Sequence, residues 1–351
     1  MKVVKTSPHI HSALSTDKAM LYVIIALLPA TIWGIVIFGL KALITVAVSI
    51  LSAVLVEYLL GLIYKEKTLS DLSAVVTGLL VGMNMPPEIN PLIPALASAF
   101  AIAVVKWTFG GLGCNWMNPA LAGRVFVFFS FSKQMGQFTL PWTLKIDAVS
   151  SATPLSAMKT AMNGGAVGKS VDLIANPASD FALSLSEKLH ISPYAIDGFF
   201  GNSAGCIGEV SALLLIAGGI FLLCKHVITW RIPVVFISSF ALLAWAFGGI
   251  PYGLGAFHGE VLVPVFSGGL MLGAIFMATD WVTTPTTAKG EVIFALGCGL
   301  LTFLIRYFGA LPEGVSLAII LMNIVSPTID RYVKPRKFGF VKEIKEKKEA
   351  K

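Results

Sequence analysis

Long apolar runs alternate with short polar turns through most of the chain. A hydrocarbon core about 30 Å thick is crossed by roughly 20 apolar helical residues, and several of the runs reach that length. The pattern predicts ten membrane-spanning helices, two of them short: 20–40, 43–63, 70–84, 89–107, 119–132, 208–225, 231–250, 261–279, 291–308 and 314–330. The sequence is therefore typical of an all-α polytopic membrane protein.

Composition supports the membrane interpretation and excludes other classes. Of the 351 residues, 56% are hydrophobic and 13% are charged, against roughly 25% charged in an ordinary soluble domain. The net charge of +7 comes mostly from the tail after Arg331, where basic and aromatic residues do not alternate as on a nucleic-acid-binding face. The cysteines have no paired spacing, which excludes a metal ribbon or a disulfide framework. We interpret them as isolated buried thiols: Cys114, Cys206, Cys224 and Cys298.

Charges between the apolar runs indicate the orientation in the membrane, because basic residues collect in cytoplasmic loops. With ten spans and a cytoplasmic N-terminus, the inner side receives Lys65, Lys67, Lys106, Lys225, Arg231, Lys289 and the basic tail. The first span follows polar residues without a cleavage site, so we expect an anchor and not a signal peptide. The chain then divides into a cytoplasmic N-terminal segment (1–19), a first five-span repeat (20–132), an outer loop (133–207), a second five-span repeat (208–332) and a cytoplasmic tail (333–351).

The two halves of the chain resemble each other weakly. Because five spans per half is an odd number, the second half enters the membrane in the opposite direction, which predicts inverted-topology repeats. Pro and Gly interrupt corresponding helices at 82–91 and 278–287, and again at 109–124 and at 308–314 followed by 322–331. Unwound backbone in a membrane is tolerated where it is buried in protein or lines a cavity. These breaks therefore predict binding sites, with close helix packing at small residues as the alternative.

Polar residues concentrate beside these breaks and suggest an ion pathway. Thr279, Asp280 and Asn323 are the candidates, together with the carbonyl groups that the broken helices leave free. An ionisable residue near the end of a span often marks such a pathway. Asp280 is equally compatible with an interfacial carboxylate or a helix cap.

The outer loop contains the string DAVSSATPL at 147–155. Its composition alone indicates a Ser/Thr turn ended by a proline. The spacing Asp147-x-x-Ser150-x-Ala152-Thr153 nevertheless resembles the acceptor motif at which a flavin transferase joins FMN to a threonine hydroxyl through a phosphoester. That chemistry needs an exposed hydroxyl, so a flexible loop outside the membrane is where we expect it.

The resemblance extends over essentially the whole chain. The segments SPHIHS (7–12), GGLGCNWMNPALAGRVF (110–126), GCIGEVSALLLIAGGIFLL (205–223) and 277–332 are similar to RnfD, the D subunit of the Rnf complex. That family shares its architecture with the B subunit of the sodium-pumping NADH:quinone oxidoreductase, whose N-terminal extension is longer. Because the first span here begins near residue 20, the Rnf protein is the closer match.

The resemblance implies a subunit of an oxidoreductase in a bacterial or archaeal cytoplasmic membrane, which moves electrons between reduced ferredoxin and NAD while translocating Na⁺ or H⁺. It implies covalent FMN on Thr153, flanked by Ser150 and Ser151, with Asp147 recognised by a transferase that uses FAD and Mg²⁺. Ser151 replaces the glycine of many members. The implied partners are the flavin transferase and the other Rnf subunits, A, B, C, E and G.

The resemblance also implies a second, non-covalent flavin, riboflavin, within the helical core. We expect it around the break that contains Gly110, Gly111 and Asn118.

Other functions remain open at this point. No G-x-G-x-x-G follows a strand, and we interpret the glycine groups at 110–113, 218–219 and 268–269 as parts of apolar helices, which argues against NAD binding. GGAVGKS at 164–170 lacks the spacing of a phosphate-binding loop. The alternatives are the quinone-reductase subunit, a flavin-free transporter or channel built on inverted repeats, and a passive scaffold in a respiratory complex.

Overall fold

The described part of the chain is built from helices and the turns that join them. The computed structural model describes residues 15–66, 68–142, 152–163 and 178–334. In chain order the helices are α1 (Thr16–Phe38), α2 (Leu40–Tyr64), α3 (Ser73–Met83), α4 (Leu92–Phe100), α5 (Pro119–Ser130), α6 (Ser132–Met135), α7 (Pro154–Asn163), α8 (Asp180–Leu189), α9 (Pro193–Phe200), α10 (Ala212–Cys224), α11 (Arg231–Phe247), α12 (Leu262–Phe266), α13 (Leu270–Leu272), α14 (Ala288–Tyr307) and α15 (Val315–Tyr332). Helix α4 continues as a π-helical segment, Ala101–Trp107, and α13 continues as another, Gly273–Met277.

Within the described residues, four helical segments are long and apolar enough to cross a membrane. They are α1, α2, α11 with the turn that follows it, and α14. Shorter apolar helices are α3, α4 with its π-helical continuation, α5 and α10. The prediction of an all-helical membrane protein is confirmed at this level, and a helix overlaps each of the ten predicted ranges.

Polar side chains determine where several helices begin. Ser15, Ser211 and Thr287 each accept a hydrogen bond from a backbone N–H in the first turn of α1, α10 and α14. Asn118 does the same for α5, and Pro119 follows it at the first helical position. Such caps satisfy N–H groups that have no partner within the helix. Asn118 and Thr287 thus restart a helix after two of the breaks that the Pro and Gly pattern predicts.

The predicted continuous span 261–279 is wrong, because the chain bends between α12 and α13. Gly268 and Gly269 both have φ of +69°, a conformation that glycine adopts without steric cost. The guanidinium of Arg306 donates to the carbonyls of Pro264 (2.6 Å) and Gly268 (2.7 Å). This glycine pair therefore forms a buried bend whose backbone a side chain satisfies.

The glycine pair 218–219 does lie inside a helix, as predicted. A Cβ added to Gly219 would lie 2.7 Å from Cγ2 of Ile275, and one added to Gly218 would lie 3.0 Å from Cζ of Phe276. These glycines let α10 approach the second π-helical segment closely, as small residues do in membrane proteins.

The predicted outer loop contains helices α6 to α9 among its described residues. Helix α7 rests on the end of α14, where Lys159 Nζ donates to the carbonyls of Arg306 (2.9 Å) and Tyr307 (3.4 Å). An ammonium group at this position satisfies carbonyls that end a helix. Burial lowers the pKa of Lys159. Helix α7 is thus attached to the membrane helices and does not belong to a free loop.

Candidate functional site

A cavity of about 370 Å³ lies between α1, α3 and α5 and the turns that precede α5 and α14. Its lining includes Val23, Thr77, Asn115, Asn118, Thr279 and Asp280. A cavity of about 660 Å³ elsewhere surrounds the exposed ion pair of Lys41 and Glu88, so it is a surface groove. The first cavity is the better candidate site because apolar walls and a few buried polar groups converge there.

The cavity brings together residues that the sequence suggests for two separate roles. Asn118 is predicted beside a flavin, and Thr279 and Asp280 on an ion pathway. Asn118 Nδ2 donates to the carbonyl of Met277 (3.1 Å). The Asp280 carboxylate accepts from Thr283 Oγ1 (3.1 Å) and, at 3.5 Å, from the amide of Asn115. The residues predicted for the flavin site and for the ion pathway therefore line the same cavity.

The glycine-rich turn before α5 shapes the mouth of this cavity. Gly110, Gly111 and Gly113 have φ of +111°, +86° and +90°, so the prediction that they lie in a helix is wrong. Gly113 lines the cavity, whereas Gly110 and Gly111, predicted near the second flavin, do not. Their positive φ angles favour glycine at all three positions.

Asn323, the third predicted pathway residue, does not line this cavity. It is buried within α15, and neither atom of its side-chain amide has a hydrogen-bond partner among the described residues. The structure therefore does not place it with Thr279 and Asp280.

A buried ion pair borders the cavity, and the sequence did not predict it. Lys106 Nζ donates to Glu57 Oε1 (2.8 Å) and to Ser73 Oγ (2.7 Å). Glu57 also accepts from Thr68 Oγ1 (2.6 Å) and Trp107 Nε1 (3.0 Å). The charge pattern assigns Lys106 to an inner loop, but its side chain is only 3% exposed. The available signal was a charge inside an apolar run, which calls for a buried partner.

Thr153, the predicted attachment residue, precedes α7 and caps its first turn. Its Oγ1 accepts from the backbone N–H of Ser156 (3.1 Å) and donates to Ser156 Oγ (3.0 Å). Only 4% of Thr153 is exposed, so the expectation of an exposed hydroxyl is wrong for this conformation. The cause is the capping role, which turns the hydroxyl towards the helix. The other motif residues, Asp147, Ser150 and Ser151, lie outside the described residues.

The cysteines divide into two groups. Cys206 and Cys298 are buried, as predicted, whereas Cys114 and Cys224 are exposed.

Comparison with known proteins identifies the family. The model of the NQR2, RnfD, RnfE family matches residues 3–339. The chain belongs to this family. Among its relatives, the D subunit of the Na⁺-translocating ferredoxin:NAD⁺ oxidoreductase complex of Acetobacterium woodii is 42% identical and covers 98% of both chains. The D subunit of the proton-translocating complex of Clostridium ljungdahlii is 40% identical over 96% of both chains. The D subunit of the ion-translocating oxidoreductase complex of Stutzerimonas stutzeri is 36% identical over 93% of this chain and 92% of its own.

Proposed function

We propose that this chain is the D subunit of an Rnf-type complex, a membrane protein that carries electrons between ferredoxin and NAD while the complex translocates Na⁺ or H⁺. The observation that carries this proposal is the match to named subunits over nearly the whole chain, at 42% identity over 349 residues in one case. The partners are then the other subunits, A, B, C, E and G, and the flavin transferase.

The topology that we propose has ten spans in two inverted repeats, with both termini on the cytoplasmic side. The corresponding breaks support it: residues 84–91 separate α3 from α4, and residues 278–287 separate the second π-helical segment from α14. Each half then continues through a further turn, into α5 or α15. In this arrangement α7 and Thr153 lie on the outer side, and the 370 Å³ cavity opens towards the cytoplasm.

Thr153 is the proposed attachment residue for covalent FMN. Its position before α7 supports this assignment, because N–H groups of a first helical turn favour a phosphate. For reaction, the hydroxyl must leave Ser156, which unwinding of the first turn of α7 permits. FMN supplies reversible one-electron transfer, while the protein positions it. Lys159, through its contact with the end of α14, holds the helix that carries the attachment residue.

The 370 Å³ cavity is the proposed site of the second, non-covalent flavin, riboflavin. Its volume lies within the roughly 300–1,000 Å³ of small-molecule sites. Val23 and Thr77 belong to walls that would contact a flat ring, and the amides of Asn115 and Asn118 offer hydrogen bonds to a heterocycle. Residues Gly110 and Gly111 shape the turn beside it.

Filling the cavity tests the second flavin directly. Val23→Trp is expected to remove non-covalent flavin from the purified protein and leave covalent flavin unchanged, because the indole occupies space that the ring needs. Flavin released by acid precipitation is measured separately from flavin that stays with the protein. Val36→Trp is the matched control, since Val36 lies on the same helix and is 51% exposed. Equal release of flavin from both variants would exclude this cavity.

Coupling between electrons and ions is proposed to pass close to Asp280. Reduction of a flavin adds negative charge in a low-dielectric region, which attracts a cation to nearby polar groups. Asp280→Asn is expected to lower the number of ions moved per electron in vesicles that contain the complex. Asp17→Asn, an exposed substitution at the start of α1, is the control. An unchanged ratio in Asp280→Asn would remove this residue from the pathway.

Electron-transfer assays of the whole complex separate the remaining alternatives. We expect reduced ferredoxin with NAD to support turnover, whereas activity with NADH and quinone alone would identify the quinone-reductase subunit. A preparation that contains no flavin would favour the transporter or the scaffold.

A further inference from the structure

A second buried ionic cluster surrounds Arg124 of α5. Arg124 Nη1 donates to Asn84 Oδ1 (3.0 Å) and Ser316 Oγ (2.9 Å). Arg124 Nη2 donates to the Glu313 carboxylate and lies 3.6 Å from Glu209 Oε1. One guanidinium thus stands between two carboxylates.

Glu209 is the incompletely satisfied member of this cluster. Its side chain is 3% exposed, Oε2 accepts a long bond from the N–H of Cys206 (3.4 Å) while the carboxylate also interacts with the Cys206 thiol, and Oε1 accepts no hydrogen bond from the described residues. The sulfur of Cys206 and carboxylate oxygens of Glu209 and Glu313 lie within 4.8 Å of one another. A Cβ added to Gly269 would lie 2.5 Å from Glu209 Oε1, so the bend between α12 and α13 presses against this oxygen.

Other charges near Glu209 do not complete its coordination. Arg306 interacts with it electrostatically, but the hydrogen bonds of that guanidinium go to backbone carbonyls of the bend. The thiol of Cys206 accepts a bond from Arg124 Nη2 (3.7 Å). Oε1 of Glu209 is therefore left facing the cluster with no donor at hydrogen-bond distance among the described residues.

Glu57 is a buried carboxylate of the same protein whose hydrogen bonds are complete. Its two oxygens accept three hydrogen bonds of 2.6 to 3.0 Å, from Lys106, Thr68 and Trp107. A buried carboxylate without such partners carries a large desolvation cost unless it binds a cation or a proton. The contrast between Glu57 and Glu209 indicates that Glu209 binds its partner reversibly.

We propose that Glu209, with Glu313 and Cys206 beside it, forms an exchangeable site for one monovalent cation, either a proton or Na⁺. Arg124 holds the two carboxylates together and competes with the exchanging cation for them. Carboxylate oxygens accept protons and are the ligands that hard metal cations prefer. The inference rests on the proposed function, because an ion-translocating complex supplies the reason for exchange.

Groups in contact with the site extend towards a partly exposed carboxylate on one side and towards the 370 Å³ cavity on the other. The Glu313 side chain is 15% exposed, and a cavity of about 30 Å³ beside Arg124, Glu313 and Ser316 has about the volume of one water molecule. In the other direction, Asn84 Nδ2 contacts Sδ of Met277 (3.8 Å). The carbonyl of Met277 accepts from Asn118 in the wall of the 370 Å³ cavity. The site thus lies between a partly exposed carboxylate and the proposed flavin cavity.

Carbodiimide labelling of the intact complex in its membrane tests the site without a substitution. Dicyclohexylcarbodiimide reacts with protonated carboxyl groups in apolar surroundings. We expect Glu209 to be labelled at least about ten times faster than Glu57, because hydrogen bonds from three donors occupy both oxygens of Glu57, whereas Oε1 of Glu209 has no hydrogen-bond partner among the described residues. Peptide mass spectrometry identifies the labelled residue. Protection by added Na⁺ would identify Na⁺ as the cation, and labelling that falls with rising pH without Na⁺ protection would identify a proton.

Labelling of Glu209 no faster than that of Glu57, at every pH and Na⁺ concentration, would overturn the inference. As a second test, Glu209→Gln is expected to lower ions moved per electron several-fold, whereas Glu209→Asp retains part of the coupling. Glu88→Gln, which removes an exposed carboxylate, is the matched control. An unchanged ratio in an assembled Glu209→Gln complex would also contradict the proposal.

The same membranes distinguish failure of this inference from failure of the proposed function. A native complex without covalent flavin or ferredoxin:NAD electron transfer would contradict the function. A native complex with both, but with unreactive Glu209, would contradict only the cation site.

Discussion

A Thr153→Val chain, produced together with a flavin transferase, is expected to carry no covalent flavin, whereas the native chain gains the mass of one FMN group. Valine matches threonine in shape but lacks the hydroxyl that forms the phosphoester. Electron transfer through the complex is expected to fall to background, since the cofactor performs the redox step. Intact-protein mass spectrometry, together with the tryptic peptide 146–159, measures the modification.

Two variants separate loss of attachment from loss of structure. Thr153→Val also removes the cap of α7, at a cost of about 1 kcal/mol, whereas Thr153→Ser keeps a hydroxyl for both roles. Thr160→Val changes an exposed threonine in the same helix and should be fully modified. An unmodified native peptide, with the transferase active on another substrate, would refute the attachment site and favour the transporter or scaffold.

Lys106→Met is expected to destabilise the protein by about 3–5 kcal/mol, because it leaves the carboxylate of Glu57 buried without its countercharge. The Glu57 side chain is 0% exposed and that of Lys106 is 3% exposed, so the carboxylate remains buried when the ammonium is removed. Thermal unfolding of the purified protein in detergent, followed by loss of the monodisperse species, measures the effect.

Removing both charges is expected to cost less stability than removing the lysine alone. The double variant Glu57→Gln/Lys106→Met should recover most of the lost stability, because neither charge is then buried alone. Lys41→Met is the control, since its pair with Glu88 is exposed and is worth about 0–1 kcal/mol. Equal unfolding temperatures for Lys106→Met and Lys41→Met would show that the buried pair does not stabilise the fold.

Hydropathy predicted the positions of the apolar helices because lipid imposes length and composition on each span. Pro and Gly likewise predicted the breaks at 82–91, 109–124 and 278–287, and the polar residues beside them include Asn118 and Asp280, which the structure brings to one cavity. These features are local in sequence. Each is decided by residues within a few positions of one another.

Pairings between distant residues could not be predicted. Glu57 and Lys106 are 49 positions apart, and Arg124 and Glu313 are 189 apart, so no local pattern connects them. The bend at Gly268 was missed because one serine beside two glycines is a weak signal within an apolar run. Its freed carbonyls are satisfied by Arg306, a residue of another helix.

The burial of Thr153 was missed for a related reason. A Ser/Thr string before a proline predicts a turn, and such a turn is equally the start of a helix. The structure begins α7 there and uses the hydroxyl as a cap. The acceptor motif therefore predicts an exposed Thr153 hydroxyl, whereas the hydroxyl is buried when it caps α7.

The bend between α12 and α13 bears on how the protein moves. To become a continuous helix, this segment would have to reverse the sign of φ at both Gly268 and Gly269 and displace a guanidinium from the carbonyls that the helix needs. Two such changes at once oppose straightening of this segment into one helix. If the proposed cation site at Glu209 takes part in ion movement, straightening of the neighbouring bend is then not the step that moves the ion.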